Sequence, residues 1–289
     1  MQNNETPLVS VIMNCYNGEK YLREAIDSVY SQTYKNWEIV FWDNESIDSS
    51  VKIAQSYDDK IKYFYARKNT PLGEARVSAI KHAKGMYLAF LDCDDLWEDS
   101  KLEIQINAIN GKNDIGFVYS RCEIISSDGN RLGYMPHKKK MPSLPSGKIF
   151  DKLIKKGCFI AFNSILISRK KYENSGGFPV HYKNSIDYHL YLKISHQYQV
   201  VAIDKTLCQS REHGENLSYS QYVIGAKENV ESVISFFPDQ CAIRGIKYQY
   251  ANLAVCYIRE YQLLRALSIL IHHGGWLTVF RRIIGKLVN

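Results

Sequence analysis

From Leu8 to Leu91 short apolar runs alternate with stretches spaced like helices, and few folds can satisfy that alternation. Leu8–Met13, Trp37–Trp42, Ile61–Tyr65 and Met86–Leu91 read as strands. Their apolar, β-branched and aromatic side chains run nearly unbroken, as strands buried on both faces require. Between them, Leu22, Ala25, Ile26 and Val29 keep the three-to-four spacing of a helix over 21–32, and helices are also expected near 49–56 and 73–82. Strand–helix units of about 30 residues imply parallel pairing with right-handed crossovers. The expected fold is therefore α/β: a Rossmann-like, mixed but mainly parallel sheet flanked by helices.

Beyond a helix expected at 100–110 the rhythm changes. Ile115–Tyr119 reads as a strand, 121–134 as a hairpin turning at Asp128-Gly129, and the lysine- and proline-rich 135–147 as a mobile loop over a site. A strand at 164–168, a helix near 187–196 and a strand at 199–203 follow, then a polar loop at 209–221. From Tyr222 the pattern is helical throughout. The division expected is 1–220 as one α/β domain and 221–289 as a helical C-terminal extension.

Ligands of open α/β sheets bind beyond the carboxyl ends of the strands. Tyr16-Asn17-Gly18-Glu19, Asp43-Asn44, Arg76 and Asp92-Cys93-Asp94-Asp95 all fall there, so topology alone turns scattered polar residues into one pocket. Neither the GxGxxG fingerprint nor a phosphate-binding GxxxxGK[ST] loop occurs, which removes the usual signals for hydride transfer and ATP hydrolysis. Asp92 and Asp94 can meet one ligand just past a buried strand, and a hard divalent cation suits them because it keeps positions for phosphate oxygens. Clustered acids repel one another, and a cation relieves this. The plainer alternative is a cap, with Asp94 or Asp95 starting a helix near Trp97.

Val9-Ser10-Val11-Ile12-Met13-Asn14-Cys15-Tyr16-Asn17, Ser31-Gln32-Thr33-Tyr34, Trp37-Glu38-Ile39-Val40, Asp43-Asn44-Glu45-Ser46-Ile47-Asp48 and Phe90-Leu91-Asp92-Cys93-Asp94-Asp95 occur in that order. The series closely resembles family-2 glycosyltransferases of the GT-A fold over about the first 110 residues, and more weakly to about 220. The resemblance implies a nucleotide-sugar-binding half (about 1–110) and an acceptor-binding half (about 111–220). It also implies an inverting, metal-assisted transfer from a nucleoside-diphosphate sugar, with UDP or dTDP as carrier, to a glycan or lipid-linked glycan, in surface polysaccharide or glycoconjugate assembly.

Residue by residue, the resemblance makes Asp94 the direct ligand of Mn2+ or Mg2+ and Asp92 a contact to ribose or metal, with Cys93 between them. Cys15, Tyr16 and Asn17 match the base-binding loop, with Glu19 nearby, and Arg76 matches an arginine near the nucleotide. Relatives often carry two aspartates where this chain has Asp43-Asn44; an asparagine carbonyl still accepts from a base N–H, but the preference for uracil becomes open. Asp187 falls on the general base, although Ile186 replaces the usual Glu before it, and an N-cap role is the alternative. Arg211 and His213, in Arg211-Glu212-His213-Gly214-Glu215-Asn216-Leu217-Ser218, match an element that approaches the metal or the diphosphate. Gly176-Gly177-Phe178 would shape the acceptor loop, and Phe159–Asn163 with Ser164 would line the acceptor site.

A formal charge of +7 over 289 residues is too modest for a nucleic-acid footprint. Seven scattered cysteines without a CxxC pair fit a reducing compartment. The polar start MQNNETP lacks a charged-then-apolar leader, and no apolar run reaches the roughly 18 residues of a bilayer span, so a cytoplasmic location is expected. Trp276, Val279, Phe280, Ile283, Ile284 and Leu287 mark an apolar face beside Arg281, Arg282 and Lys286, which suits peripheral contact with the inner face of the cell membrane or packing on the protein itself. Two other readings stay open: a related nucleotidyltransferase, for which the loop after the first strand lacks cations, and a non-catalytic sugar-nucleotide-binding or scaffold subunit of a glycan assembly complex.

Overall fold

The computed structural model describes residues 6–135, 143–214, 216, 221–276 and 279. Four parallel strands form its first half in the order β3-β2-β1-β4: β1 (Val9–Cys15), β2 (Trp37–Asp43), β3 (Ile61–Tyr65) and β4 (Tyr87–Phe90). The crossovers are helices α1 (Leu22–Tyr30), α2 (Ser50–Gln55) and α3 (Leu72–Ile80). Side chains alternate across the sheet. Ile12, Val40, Leu88 and Phe90 enter one core layer, while Val11, Met13, Ile39, Phe41 and Ala89 enter the other. Both faces are thus buried, as the unbroken apolar runs require.

The second half departs from the mainly parallel expectation. β8 (Leu166–Ser168) adds antiparallel to β4, and the long β6 (Ile115–Ser126) adds antiparallel to β8. β9 (Gln199–Glu212) then runs parallel to β6, and β5 (Leu96–Trp97) closes the edge antiparallel to β9. β7 (Arg131–Tyr134) folds back on β6 through the turn at Gly129, whose φ of +81° favours glycine. The sheet is mixed because a short strand of opposite sense, β8, enters between β4 and β6, which run the same way.

Two further boundaries differ from expectation. No helix starts near Trp97, because 96–97 is strand; α4 (Lys101–Ile109) begins later, with Ser100 at its N-cap. The expected loop from 209 is strand through Glu212, since β9 stays paired with β6 up to Ser126↔Glu212. That extra length has a consequence: Leu96↔Gln209 pairing ties the stretch after the acidic motif to the end of β9. Most of the lysine-rich loop at 135–147 lies outside the described residues.

α5 (Phe150–Lys156), α6 (Arg169–Asn174) and α7 (Ile186–Gln197) cover the second half. The C-terminal helices are α8 (Tyr222–Ile234), α9 (Gln240–Arg259) and α10 (Leu263–His273). Asp239 caps α9 by accepting from the Cys241 and Ala242 amides at 2.6 and 3.3 Å. Val233 and Ala242 join the main core, so α8 and α9 are packed onto the α/β body. Among the described residues no helix is long and apolar enough to cross a membrane.

Candidate functional site

The site's floor is a seam between the loops that follow β1 and β2. Asn17 takes a left-handed φ of +53°. Its amide donates to Ser46 Oγ at 2.9 Å, and its side-chain oxygen accepts from the Ile47 amide at 2.9 Å. The Gly18 amide donates to Ser50 Oγ, the Glu19 amide donates to Asp48, and the Glu19 carboxylate accepts from the Ser49 amide, each at 2.9 Å. Asp43 is buried and receives the Ser46 amide at 2.9 Å and the Tyr63 hydroxyl at 3.0 Å. Asn44 turns its side chain onto Thr70, donating to the carbonyl at 2.9 Å and accepting from the hydroxyl at 3.2 Å. Tyr16, by contrast, is 55% exposed.

Gly18 is tightly packed, and any side chain there would have to displace its neighbours. A Cβ there would stand 2.7 Å from Cys93 Sγ and 2.9 Å from Cys15 Sγ, so both sulfurs converge beneath it. The hydrogen bond between the two thiols lowers the pKa of Cys15 and raises that of Cys93, and burial pushes Cys93 further up.

The acidic motif turns out of β4 directly above. Asp92 Oδ1 accepts from Arg76 Nη2 at 2.7 Å, and the Arg76 guanidinium lies 3.8 Å over the Phe162 ring. Arg76 is 5% exposed and so is no surface cation. Asp94 Oδ2 lies 2.8 Å from His213 Nε2. Burial raises the Asp94 carboxyl above its ordinary pKa, the Asp92 charge adds to the rise, and His213 opposes it. Asp95 points the other way, into the core, where it accepts from Asn163 Nδ2 at 2.8 Å and from the Arg211 amide at 2.9 Å. Its pKa is well above the carboxylate range, chiefly through burial.

Arg211 is 3% exposed. Its guanidinium donates to the carbonyls of Asp94 and Ser127 at 3.0 and 3.2 Å and to Glu24 at 2.8 Å, and it covers the Tyr21 ring at 4.4 Å. It therefore braces the acidic turn from behind. Asn216 reaches Asp94 at 3.4 Å from the same element, whose Glu215, Leu217 and Ser218 lie outside the described residues.

Asp187 occupies the second position of α7. Burial raises its pKa, the Tyr188 amide and the Arg76 charge oppose the rise, and the Asp92 charge adds to it. Asp187, Arg76 and Asp92 thus share one electrostatic neighbourhood. The Cys158 thiol lies 3.9 Å from Asp187 Oδ2.

The structure gathers Asp92, Asp94, Arg76, His213 and Asp187 around the carboxyl ends of the strands, with the Cys15–Glu19 loop as the floor. It turns inward the polar groups of Arg211, Asn44 and Asn163, while Ser164 is fully buried and donates to the Ala161 carbonyl at 2.6 Å. Asn163 and Ser164 thus do not face an acceptor. Gly177, with φ of +66°, lets the Tyr172 hydroxyl reach the Phe178 amide at 3.1 Å, and Phe178 is core. Sequence reasoning missed Glu24, the inward role of Asp95, and Glu228. Among the described residues no three His, Cys, Asp or Glu side chains close on one point as a complete metal cage.

Residues 10–176 match the sequence profile described as Glycosyl transferase family 2. The chain is 33% identical over 294 residues to an uncharacterised glycosyltransferase of Rickettsia typhi, covering 96% of this chain and 90% of that one. It is 35% identical over 198 residues to the UDP-Glc:alpha-D-GlcNAc-diphosphoundecaprenol beta-1,3-glucosyltransferase WfgD of Escherichia coli, covering 68% of this chain and 73% of that one. Among solved structures, the mannosyltransferase PcManGT of Pyrobaculum calidifontis, in complex with GDP-Man and Mn2+, superposes with a TM-score of 0.62 at 19% identity, covering 93% of this chain and 75% of that one.

Proposed function

The chain belongs to glycosyl transferase family 2 and is a glycosyltransferase, and from that premise we propose that it moves a sugar from a nucleoside-diphosphate sugar to an acceptor hydroxyl, with inversion and with help from a divalent cation. One observation carries the reading: Arg76, paired with Asp92, lies within reach of the charge of a half-buried carboxyl, Asp187, while Asp94, on the same acidic turn as Asp92, pairs with His213. We assign 1–220 to the transferase unit and 221–289 to its extension, with donor contacts drawn from about 1–110 and acceptor contacts from about 111–220.

The donor set suits Mn2+ or Mg2+. Asp94 and His213 would supply two ligands with Asp92 beside them, and diphosphate oxygens would complete the shell, as hard cations are held in phosphoryl sites. When bound, the ion stabilises charge growing on the departing diphosphate. Arg76 adds a fixed positive charge on the same side.

Asp187 takes the proton of the acceptor hydroxyl as that oxygen attacks the anomeric carbon. The bond from that carbon to the diphosphate oxygen breaks in the same displacement, its electron pair leaving with the nucleoside diphosphate. One attack inverts the centre. A raised pKa suits a base that must hold a proton through the transition state.

Cys15, Tyr16, Asn17, Glu19, Asp43 and Asn44 form the base-and-ribose end, with Cys93 beneath it. UDP-Glc in the name of the Escherichia coli relative supports a UDP or dTDP carrier here, and its diphosphoundecaprenol acceptor supports a lipid-linked glycan. That chemistry supports work at the cytoplasmic face of a membrane, in polysaccharide or glycoconjugate assembly.

The test is nucleoside-diphosphate release from a panel of donor sugars with and without Mn2+ or Mg2+. Metal-dependent release lost in Asp94→Ala, and transfer lost in Asp187→Ala with donor binding retained, are the expected results. Full transfer by Asp187→Ala rejects the base.

A further inference from the structure

We propose that Glu228, on α8 of the helical extension, is a positioning residue for the transfer step, holding the start of α7 so that Asp187 stands where the acceptor hydroxyl must arrive. The inference rests on reading Asp187 as the base.

The Glu228 carboxylate is buried and accepts three consecutive backbone N–H groups: Lys183 at 2.7 Å, Asn184 at 3.0 Å and Ser185 at 2.7 Å. Those residues lead directly into α7, which begins at Ile186. Ser185 is the N-cap yet makes no side-chain cap bond; its hydroxyl instead donates to the Gly225 carbonyl at 3.1 Å. A carboxylate from another helix therefore binds the N-cap amide of α7 and the two amides before it. It satisfies otherwise orphaned donors and places negative charge at the positive end of the helix. Charge-assisted bonds to three adjacent amides, roughly twice as strong as neutral ones, also fix the loop-to-helix entry.

Gly225, one turn before Glu228, allows the approach. A Cβ there would lie 2.6 Å from Asn184 Oδ1 and 3.0 Å from Ser185 Oγ. Only a bare backbone lets α8 come this close. The lock ends two residues before Asp187, on the same rigid turn, so a shift of the 183–185 segment moves the carboxyl with it. The extension thereby becomes part of the catalytic geometry and not an appendage.

The experiment compares Glu228→Gln, Glu228→Ala, Gly225→Ala and Asp187→Ala in the full chain, reading kcat and KM for both substrates, nucleoside-diphosphate affinity by calorimetry, and the pH dependence of kcat. A displacement near 1 Å costs as much as about 100-fold in rate, so Glu228→Ala is expected to lower kcat by about 10- to 100-fold. Donor-product affinity stays within about twofold, because Glu228 touches no donor loop. Glu228→Gln keeps the shape and half the acceptor capacity, so it lowers kcat less and moves the acid limb of the pH profile, which a merely stabilising residue leaves in place. Gly225→Ala, which keeps the carboxylate, gives the same loss of kcat by pushing the loop away. Folded Glu228→Gln and Gly225→Ala proteins with unchanged kcat and pH profile, beside an inactive Asp187→Ala, overturn the inference and leave the base intact. An active Asp187→Ala overturns both.

Discussion

His213 Nε2 lies 2.8 Å from Asp94 Oδ2, a contact between residues 119 positions apart. It exists because Leu96 and Trp97 pair with Gln209 and Cys208, drawing the end of β9 alongside the acidic turn. If the pair grips a cation, His213→Ala should raise the Mn2+ concentration for half-maximal turnover by at least about tenfold, the usual scale for losing a supporting group at a metal site. Titration of nucleoside-diphosphate release with Mn2+ reads this directly, and an unchanged midpoint excludes His213 from the metal.

Arg76 is the buried partner of a half-exposed carboxylate, with side-chain exposures of 6% and 39% for Arg76 and Asp92. Arg76→Ala removes the charge-assisted bond and the guanidinium over Phe162, and leaves Asp92 with enough water to soften the loss. An unfolding free energy lower by about 1–3 kcal/mol is expected, together with weaker nucleoside-diphosphate binding. Arg76→Lys keeps the charge but not the planar fork, so it should fall between. Urea melts and calorimetry on the same preparations separate the two effects.

The parallel half was legible because Val9–Cys15, Trp37–Asp43, Ile61–Tyr65 and Tyr87–Phe90 carry their burial in their own composition. The tail of β9 was not. Gln209, Ser210, Arg211 and Glu212 look like loop, and they become strand only through pairing with Glu123–Ser126 far back in the chain. The same holds for side chains. Asp92 and Asp94 announce themselves by spacing, whereas Asp95 takes its role from Asn163 and Arg211, 68 and 116 residues away. Glu228 sits in an unremarkable amphipathic helix, and nothing local in it points to the amides of 183–185.

Asp187 offers a pH signature. Burial raises its pKa above the ordinary carboxylate value of about 3.9, so the active carboxylate form is lost at a higher pH than usual as solutions are acidified. The acid limb of kcat should therefore lie above that value. The folded pKa exceeds the unfolded one, so ionising this group opposes folding at every pH above the raised value. Asp187→Asn is then expected to be inactive but more stable at pH 7. A destabilised Asp187→Asn protein contradicts the burial argument.

The helical extension supplies the membrane prediction. On α10, Leu264 and Ile271 are 84% and 65% exposed, Leu267 lies between them on the same stripe, and Trp276 follows. From residue 261 to 289 there is no acidic residue, while Arg265, Arg281, Arg282 and Lys286 are cationic. Phe280–Leu287 lies outside the described residues, but the apolar stripe with a basic, acid-free sequence suits an anionic interface. Deleting 274–289, or introducing Leu264→Glu with Ile271→Glu, should release the protein from vesicles containing anionic lipid. Equal sedimentation with those vesicles counts against membrane contact.

Lys101 shows what burial does to a charge far from any substrate. Its side chain is fully enclosed, with Nζ 2.8 Å from Gln105 Oε1, 3.4 Å from the Ile165 carbonyl and 4.0 Å above the Trp97 ring. Loss of hydration pulls its pKa from 10.5 down to about 7. Between those two values the unfolded chain holds a proton that the folded chain has released, so stability rises with pH across that window. Below about pH 7 both states are protonated, and the full penalty of a buried ammonium remains. Lys101→Met fills a similar volume without a charge, leaving Gln105 Oε1 and the Ile165 carbonyl to find other donors. It should therefore raise unfolding free energy at pH 7 by about 1–3 kcal/mol, the scale seen when buried ions give way to apolar residues. It should also flatten the climb between pH 7 and 10. Urea melts of both proteins at several pH values decide the matter: a Lys101→Met protein that keeps the wild-type slope shows that the titrating group is another one.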